Sequence, residues 1–214
     1  MGAGPWSRRL AAPWVKPVLW AACAAPAVWL WWAGFTDRLG PNPAEALIRG
    51  LGLWTLRLLC LTLLVTPLRQ LSGWAVLAGW RRGLGLWTFA YAAQHALAYV
   101  WFDMGGSLAE VWHDVGERPF ILVGALAVLA LVPLAATSFN RAVRWLGAAR
   151  WQRLHRLVYW VAALAVLHFY WMRTGKNHFG EVYLYGGLLA LLLAWRLWHA
   201  HRRRRAKAGA VSRG

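Results

Sequence analysis

Apolar residues come in runs of about 20 separated by short polar connections, the length that crosses a hydrocarbon core about 30 Å thick. The runs are Trp14–Ala33, Ala46–Thr66, Leu84–Phe102, Pro119–Ser138, Leu154–Met172 and Val182–Trp198. They predict an all-α integral membrane protein, a bundle of six transmembrane helices with neighbours antiparallel. The expected organisation is an N-terminal segment (1–13), one six-span domain (14–198) and a basic tail (199–214). No internal repeat or long linker is visible.

Lysine and arginine set the orientation. One group of connections holds Arg8, Arg9 and Lys16; Arg69, Arg81 and Arg82; Arg141, Arg144, Arg150, Arg153 and Arg156; and the tail "HRRRRAKAGAVSRG". The other holds Arg38, Arg118, Arg173 and Lys176 together with all seven acidic residues, Asp37, Glu45, Asp103, Glu110, Asp114, Glu117 and Glu181. The pattern predicts both termini in the cytoplasm and the acidic loops outside.

Composition agrees with a membrane protein. The 214 residues are 60% hydrophobic and 14% charged, against about 25% charged in soluble domains. The net charge of +17 is interrupted by apolar runs and forms no continuous basic stripe, which argues against nucleic acid. Cys23 and Cys60 lie inside apolar runs without a CxxC or CxxCH context, so neither a zinc site nor a covalent haem is indicated. The stretch around Cys23 reads as a retained anchor, because it is long, rich in tryptophan and has Trp20 badly placed for cleavage. The eighteen tryptophans suit interfacial belts and flat packing.

The polar residues inside the spans carry the chemistry. None is a carboxylate, which weakens a proton-coupled transporter. His95 lies on the third run, His155 at the start of the fifth and His168 near its outer end. Intramembrane histidine is functional by default, and imidazole is the usual axial ligand of b-type haem. Zinc wants three or four close protein ligands and suits the pattern less. His155 and His168 are separated by about 20 Å on an ideal helix, so they cannot share a metal, and thirteen residues do not bring them to one face.

Depth pairs His95 with His168 as iron ligands of an outer haem. His155 is left at an inner level, opposite Arg81 or Arg82, for an inner haem with a weaker second ligand or for another cofactor. Arg57, near the middle of the second run, calls for an anion such as a haem propionate or a flavin phosphate. His113, His178, His199 and His201 read as solvated.

Taken together, "TPLRQ", "RRGLGLW", His95 and "RWQRLHRLVYWVAALAVLHFYW" resemble the MsrQ (YedZ) family of the ferric-reductase-like transmembrane superfamily, over essentially the whole chain from the first to the sixth run. The resemblance implies haem b (one or two) on His95, His155 and His168, and FMN, which the sequence does not place on particular residues. It also implies a multi-pass subunit of the bacterial inner membrane. Its donor would be the quinone pool or a cytosolic flavin reductase. Its acceptor would be MsrP, a separate periplasmic molybdopterin enzyme that carries the catalysis and repairs oxidised methionine in proteins. Wider relatives have two histidines on each of two helices; this chain has one on the third run. No glycine fingerprint for a nicotinamide cofactor is present, so electrons are expected from a partner. The acidic segment "DMGGSLAEVWHDVGERP" is a plausible docking surface for the acceptor. The alternatives are a stand-alone ferric or cupric reductase, or a non-redox transporter or assembly protein with packing histidines.

Overall fold

The computed structural model describes residues 5–175 and 179–211; Lys176, His178 and the last three residues fall outside them. Every regular element described is helical. In chain order they are α1 (Pro5–Leu10), α2 (Val15–Phe35), α3 (Pro43–Ser72), a 3₁₀ turn at Ala75–Gly79, α4 (Trp80–Ala98) with a π-turn at Tyr99–Asp103, and α5 (Leu108–Glu117). Then follow α6 (Pro119–Ala136), α7 (Asn140–Leu146), α8 (Ala148–Leu154), α9 (Leu157–Thr174) and α10 (Gly180–Val211).

Among the described residues, four helical stretches are long and apolar enough to cross a membrane: Val15–Phe35, Pro43–Ser72, Pro119–Ala136 and Gly180–Arg202. The chain is thus an all-α, multi-spanning protein. The other two long helices, α4 and α9, are the ones that carry His95 and His168. Their apolar runs are diluted by Arg81, Arg82, Gln94 and His95 in α4 and by His168 and Arg173 in α9.

Local chemistry explains the helix ends. Asn42 caps α3 by accepting from the Glu45 amide at 3.1 Å, Pro43 opens the first turn, and Gly73 closes the helix at φ +72°. Ser107 caps α5 in the same way through the Glu110 amide. Pro119 opens α6. α3 packs most closely on α4, and α6 on α9; α4 also meets α6, α10 lies on α3 and α9, and α2 covers α3 and α4.

Two apolar clusters fill the interior. One joins α2, α3 and α4 around Leu51, Leu58 and Tyr91. The other joins α3, α4, α6, α9 and α10 around Leu59, Leu63, Val161 and Leu189. Tyr91 is fully buried, and its hydroxyl enters the backbone ladder of α2. It accepts from the Ala27 amide at 2.8 Å and donates to the Cys23 carbonyl at 2.7 Å, beside Pro26. Large apolar side chains that remain exposed, such as Leu97, Leu129 and Leu191, lie on these long helices, where the solvent is hydrocarbon.

The fifth run departs from the sequence reading. It is broken: α8 ends at Leu154, His155 is its C-cap, and α9 begins at Leu157. His155 therefore stands at the end of α8, outside the helix that carries His168. The tail also differs, since α10 continues through the basic segment to Val211.

A histidine pair between two helix hairpins

His95 reaches from α4 to α3, and His168 reaches from α9 to α6. Their surroundings match closely. Nδ1 of His95 lies 2.8 Å from the Ile48 carbonyl, and Nδ1 of His168 lies 2.7 Å from the Phe120 carbonyl. A carbonyl only accepts, so each Nδ1 carries the proton and each Nε2 presents its lone pair.

Four residues beyond each carbonyl stands a glycine. A Cβ on Gly52 would meet the His95 ring at 3.1 Å, and one on Gly124 would meet Nδ1 of His168 at 2.8 Å. Each imidazole thus lies in a notch one helical turn long, bounded by a carbonyl and a glycine. The same device occurs in the α3–α4 and α6–α9 hairpins, although no repeat is visible in the sequence.

The two ring centroids lie 6.1 Å apart, with the planes at 77°. Metal–imidazole bonds of about 2 Å on either side of one ion, plus about 1 Å from each nitrogen to its ring centre, give a separation of about 6 Å. Both rings are half-buried. The pair therefore has a spacing and a protonation compatible with one metal ion between two imidazoles. Among the described residues, no three His, Cys, Asp or Glu side chains form a metal-binding group, and Cys23 and Cys60 are free thiols.

Arg57 lies on α3, five residues or about 7–8 Å of helix rise beyond Gly52. Its Nε donates to the Tyr185 hydroxyl at 2.9 Å, and its guanidinium carbon stands 4.8 Å from the centre of the Trp54 ring. Both partners are neutral, so the charge remains available to an anion.

His155 is placed differently. The Thr137 hydroxyl donates to the Pro133 carbonyl at 2.6 Å and stands 3.0 Å from Nε2 of His155. With its one proton so used, Thr137 accepts from His155, which places the imidazole proton on Nε2. Trp151 stacks on the ring at 3.9 Å, while its indole nitrogen donates to the Thr137 carbonyl. Arg81 and Arg82 lie within electrostatic reach. His155 thus carries the opposite tautomer from His95 and His168.

Of the remaining histidines, His113 is exposed and pairs with Glu117. His199 departs from the solvated reading: it is half-buried and stacks on Trp195. On α5, Asp114 is buried and joins Tyr99 to Arg118. Gly52, Gly124, Thr137 and Arg196 were not singled out by the sequence reading. Arg196 had a visible signal, a cation interrupting "LLALLLAWRLW". The glycines had none, because glycine is frequent in membrane helices.

Residues 51–166, which include His95 and His155 and end just before His168, match the family described as "Ferric reductase like transmembrane component". Three relatives carry the description "Protein-methionine-sulfoxide reductase heme-binding subunit MsrQ". The protein of Polaromonas naphthalenivorans is 51% identical over 201 residues, 93% of this chain and 92% of its own. That of Bordetella pertussis is 48% identical over 192 residues, 90% and 93% of the two chains. That of Caulobacter vibrioides is 43% identical over 188 residues, 88% and 89%. No solved structure matches. With its long apolar helices and this degree of identity to bacterial proteins, the chain belongs to the MsrQ family of ferric-reductase-like transmembrane components and is a multi-pass protein of the bacterial inner membrane.

Proposed function

We propose that the chain is the haem b-binding, electron-transferring membrane subunit of a protein-methionine-sulfoxide reductase system. In this reading, electrons come from the quinone pool or a cytosolic flavin reductase. They leave to a periplasmic molybdopterin subunit of the MsrP type, which carries the catalysis and repairs oxidised periplasmic proteins. The observation that carries the proposal is the His95–His168 pair, with each Nδ1 bonded to a backbone carbonyl, each Nε2 left as the free lone-pair donor, and ring centres 6.1 Å apart. The description of the relatives as haem-binding subunits supports it independently.

A b-type haem supplies one-electron chemistry at such a pair when bound. His95 and His168 would hold its iron. The Ile48 and Phe120 carbonyls fix their tautomers and raise their basicity. Arg57 would offset the charge of an anionic group on the cofactor, with Trp54 and Tyr185 holding the guanidinium. The apolar faces of α3, α4, α6 and α9 exclude water. His155 serves an inner centre of a different kind, and FMN completes the cofactor set. The helices α2, α3, α4, α6, α9 and α10 form six spans, with both termini on the cytoplasmic side.

Reconstitution in sealed vesicles tests the assignment. A reductant is enclosed with the cytoplasmic face, and the purified periplasmic subunit is added outside with an oxidised protein. Repair of methionine sulfoxide that depends on His95 and His168 is expected. Vesicles that reduce external ferric or cupric chelates just as fast, but leave the periplasmic subunit oxidised, would favour the stand-alone metal reductase.

A further inference from the structure

Arg196 is a half-buried cation that the histidine pair does not use. It lies in the inner half of α10, against α3 and α9. One terminal nitrogen donates to the Leu63 carbonyl at 2.7 Å and the other to the Tyr159 hydroxyl at 3.1 Å. The guanidinium carbon stands 5.5 Å from the Tyr159 ring centre. Its Nε is buried and has no acceptor. No carboxylate pairs with Arg196 among the described residues.

The neighbours add positive charge. Arg81, at the inner end of α4, lies within electrostatic reach of Arg196, Arg69 and Tyr159. Its own hydrogen bond, to the Thr66 hydroxyl, is long at 3.5 Å. Nearer the tail, His199 stacks on Trp195 and holds a second buried nitrogen without a partner, Nδ1. All seven acidic residues lie in the opposite set of connections. Like charges gathered at low dielectric repel unless an anion lies among them.

Snorkelling accounts for Arg69 and Arg81 near helix ends. It does not account for Arg196, which the Leu63 carbonyl and Tyr159 hold inward while one donor goes unmet. A planar guanidinium fork matches the oxygens of phosphate, and the Tyr159 hydroxyl, accepting from Arg196, still has its proton to donate. The cluster is also remote from the histidine pair, since Leu63 lies eleven residues, or about 16 Å of rise, inward of Gly52.

We infer that Arg196, Arg81 and Tyr159, at the junction of α3, α4, α9 and α10, form a binding site for a phosphate ester. Two sources offer that chemistry: a mononucleotide such as FMN and the headgroup of an anionic phospholipid. Only the choice of FMN as a probe rests on the function proposed above.

The test uses the full-length protein in detergent. FMN affinity is read from flavin fluorescence, with riboflavin as the phosphate-free control. Retained phosphatidylglycerol is read by native mass spectrometry. The variants are Arg196→Gln, Arg196→Lys and Arg81→Gln, with circular-dichroism melting as the folding control. Arg196→Gln is expected to weaken the phosphate-bearing ligand about tenfold or more, Arg196→Lys less so, with riboflavin unaffected. Loss of FMN affinity identifies the mononucleotide. If phosphatidylglycerol is lost from Arg196→Gln while FMN binds equally to all variants, the site holds a lipid headgroup and any flavin lies elsewhere; if FMN also binds none of them, the flavin part of the proposed function falls. Should Arg196→Gln fail to fold, Arg196→Lys and Arg81→Gln decide in the same way. Folded variants that retain both ligands at wild-type strength would overturn the inference.

Discussion

A Cβ at Gly124 would stand 2.8 Å from Nδ1 of His168, one at Gly52 would stand 3.1 Å from the His95 ring, and one at Gly187 would meet nothing within 4 Å. Alanine raises helix propensity by about 1 kcal/mol at any of these sites, so local stability and ligand geometry should respond in opposite directions. Gly124→Ala is expected to lower haem retention about tenfold, in line with other losses around metal-bound histidine. Gly52→Ala should do less, and Gly187→Ala nothing; haem-to-protein ratios after purification check the order. The 77° between the rings makes a second prediction. The oxidised protein should give the strongly anisotropic low-spin paramagnetic resonance of crossed imidazoles, not the rhombic signal of coplanar ones. His95, His168 and Arg57 were legible because polar residues stand out in an apolar run. The carbonyl–glycine notches were not, because a backbone acceptor has no letter in the sequence.

Helices repeat the lesson at larger spacing. The periodic apolar pattern marks α3, α6 and α9, but it carries His155 into the fifth helix. His155 and Arg156 keep nearly helical dihedrals, φ −67°, ψ −7° and φ −70°, ψ −16°, so no glycine or proline signals the break. Thr137 and Trp151, from α6's end and α8, hold the turn. Thr137→Val should cost about 1 kcal/mol and alter signals from an inner centre while leaving the His95–His168 spectrum unchanged. The tie between α2 and α4 rests on the Tyr91 hydroxyl, which holds two backbone groups of α2. Tyr91→Phe should lower stability by about 1–3 kcal/mol in a denaturant titration, with haem absorbance retained up to the transition. A small change in melting with Tyr91→Phe would mean that α2 closes its own ladder without help.

Charge organises the molecule as a unit. One set of connections collects arginine and the other collects every carboxylate, a division readable from the sequence because it depends on residue type and span order alone. Alkaline phosphatase fused at the C-terminus should be inactive, and the same reporter inserted at Gly106, in the turn before α5, should be active; the reverse pattern would invert the proposed topology. The histidine pair is a property of the assembled bundle, since His95 and His168 depend on four helices for spacing, tautomer and clearance. The most direct measurement is therefore the reduced-minus-oxidised spectrum of the purified protein with pyridine haemochrome quantification, repeated for His95→Ala and His168→Ala. A low-spin b-type spectrum whose outer component disappears in both variants is the predicted result. Folded wild-type protein without haem, or a spectrum that survives either substitution unchanged, would contradict the account.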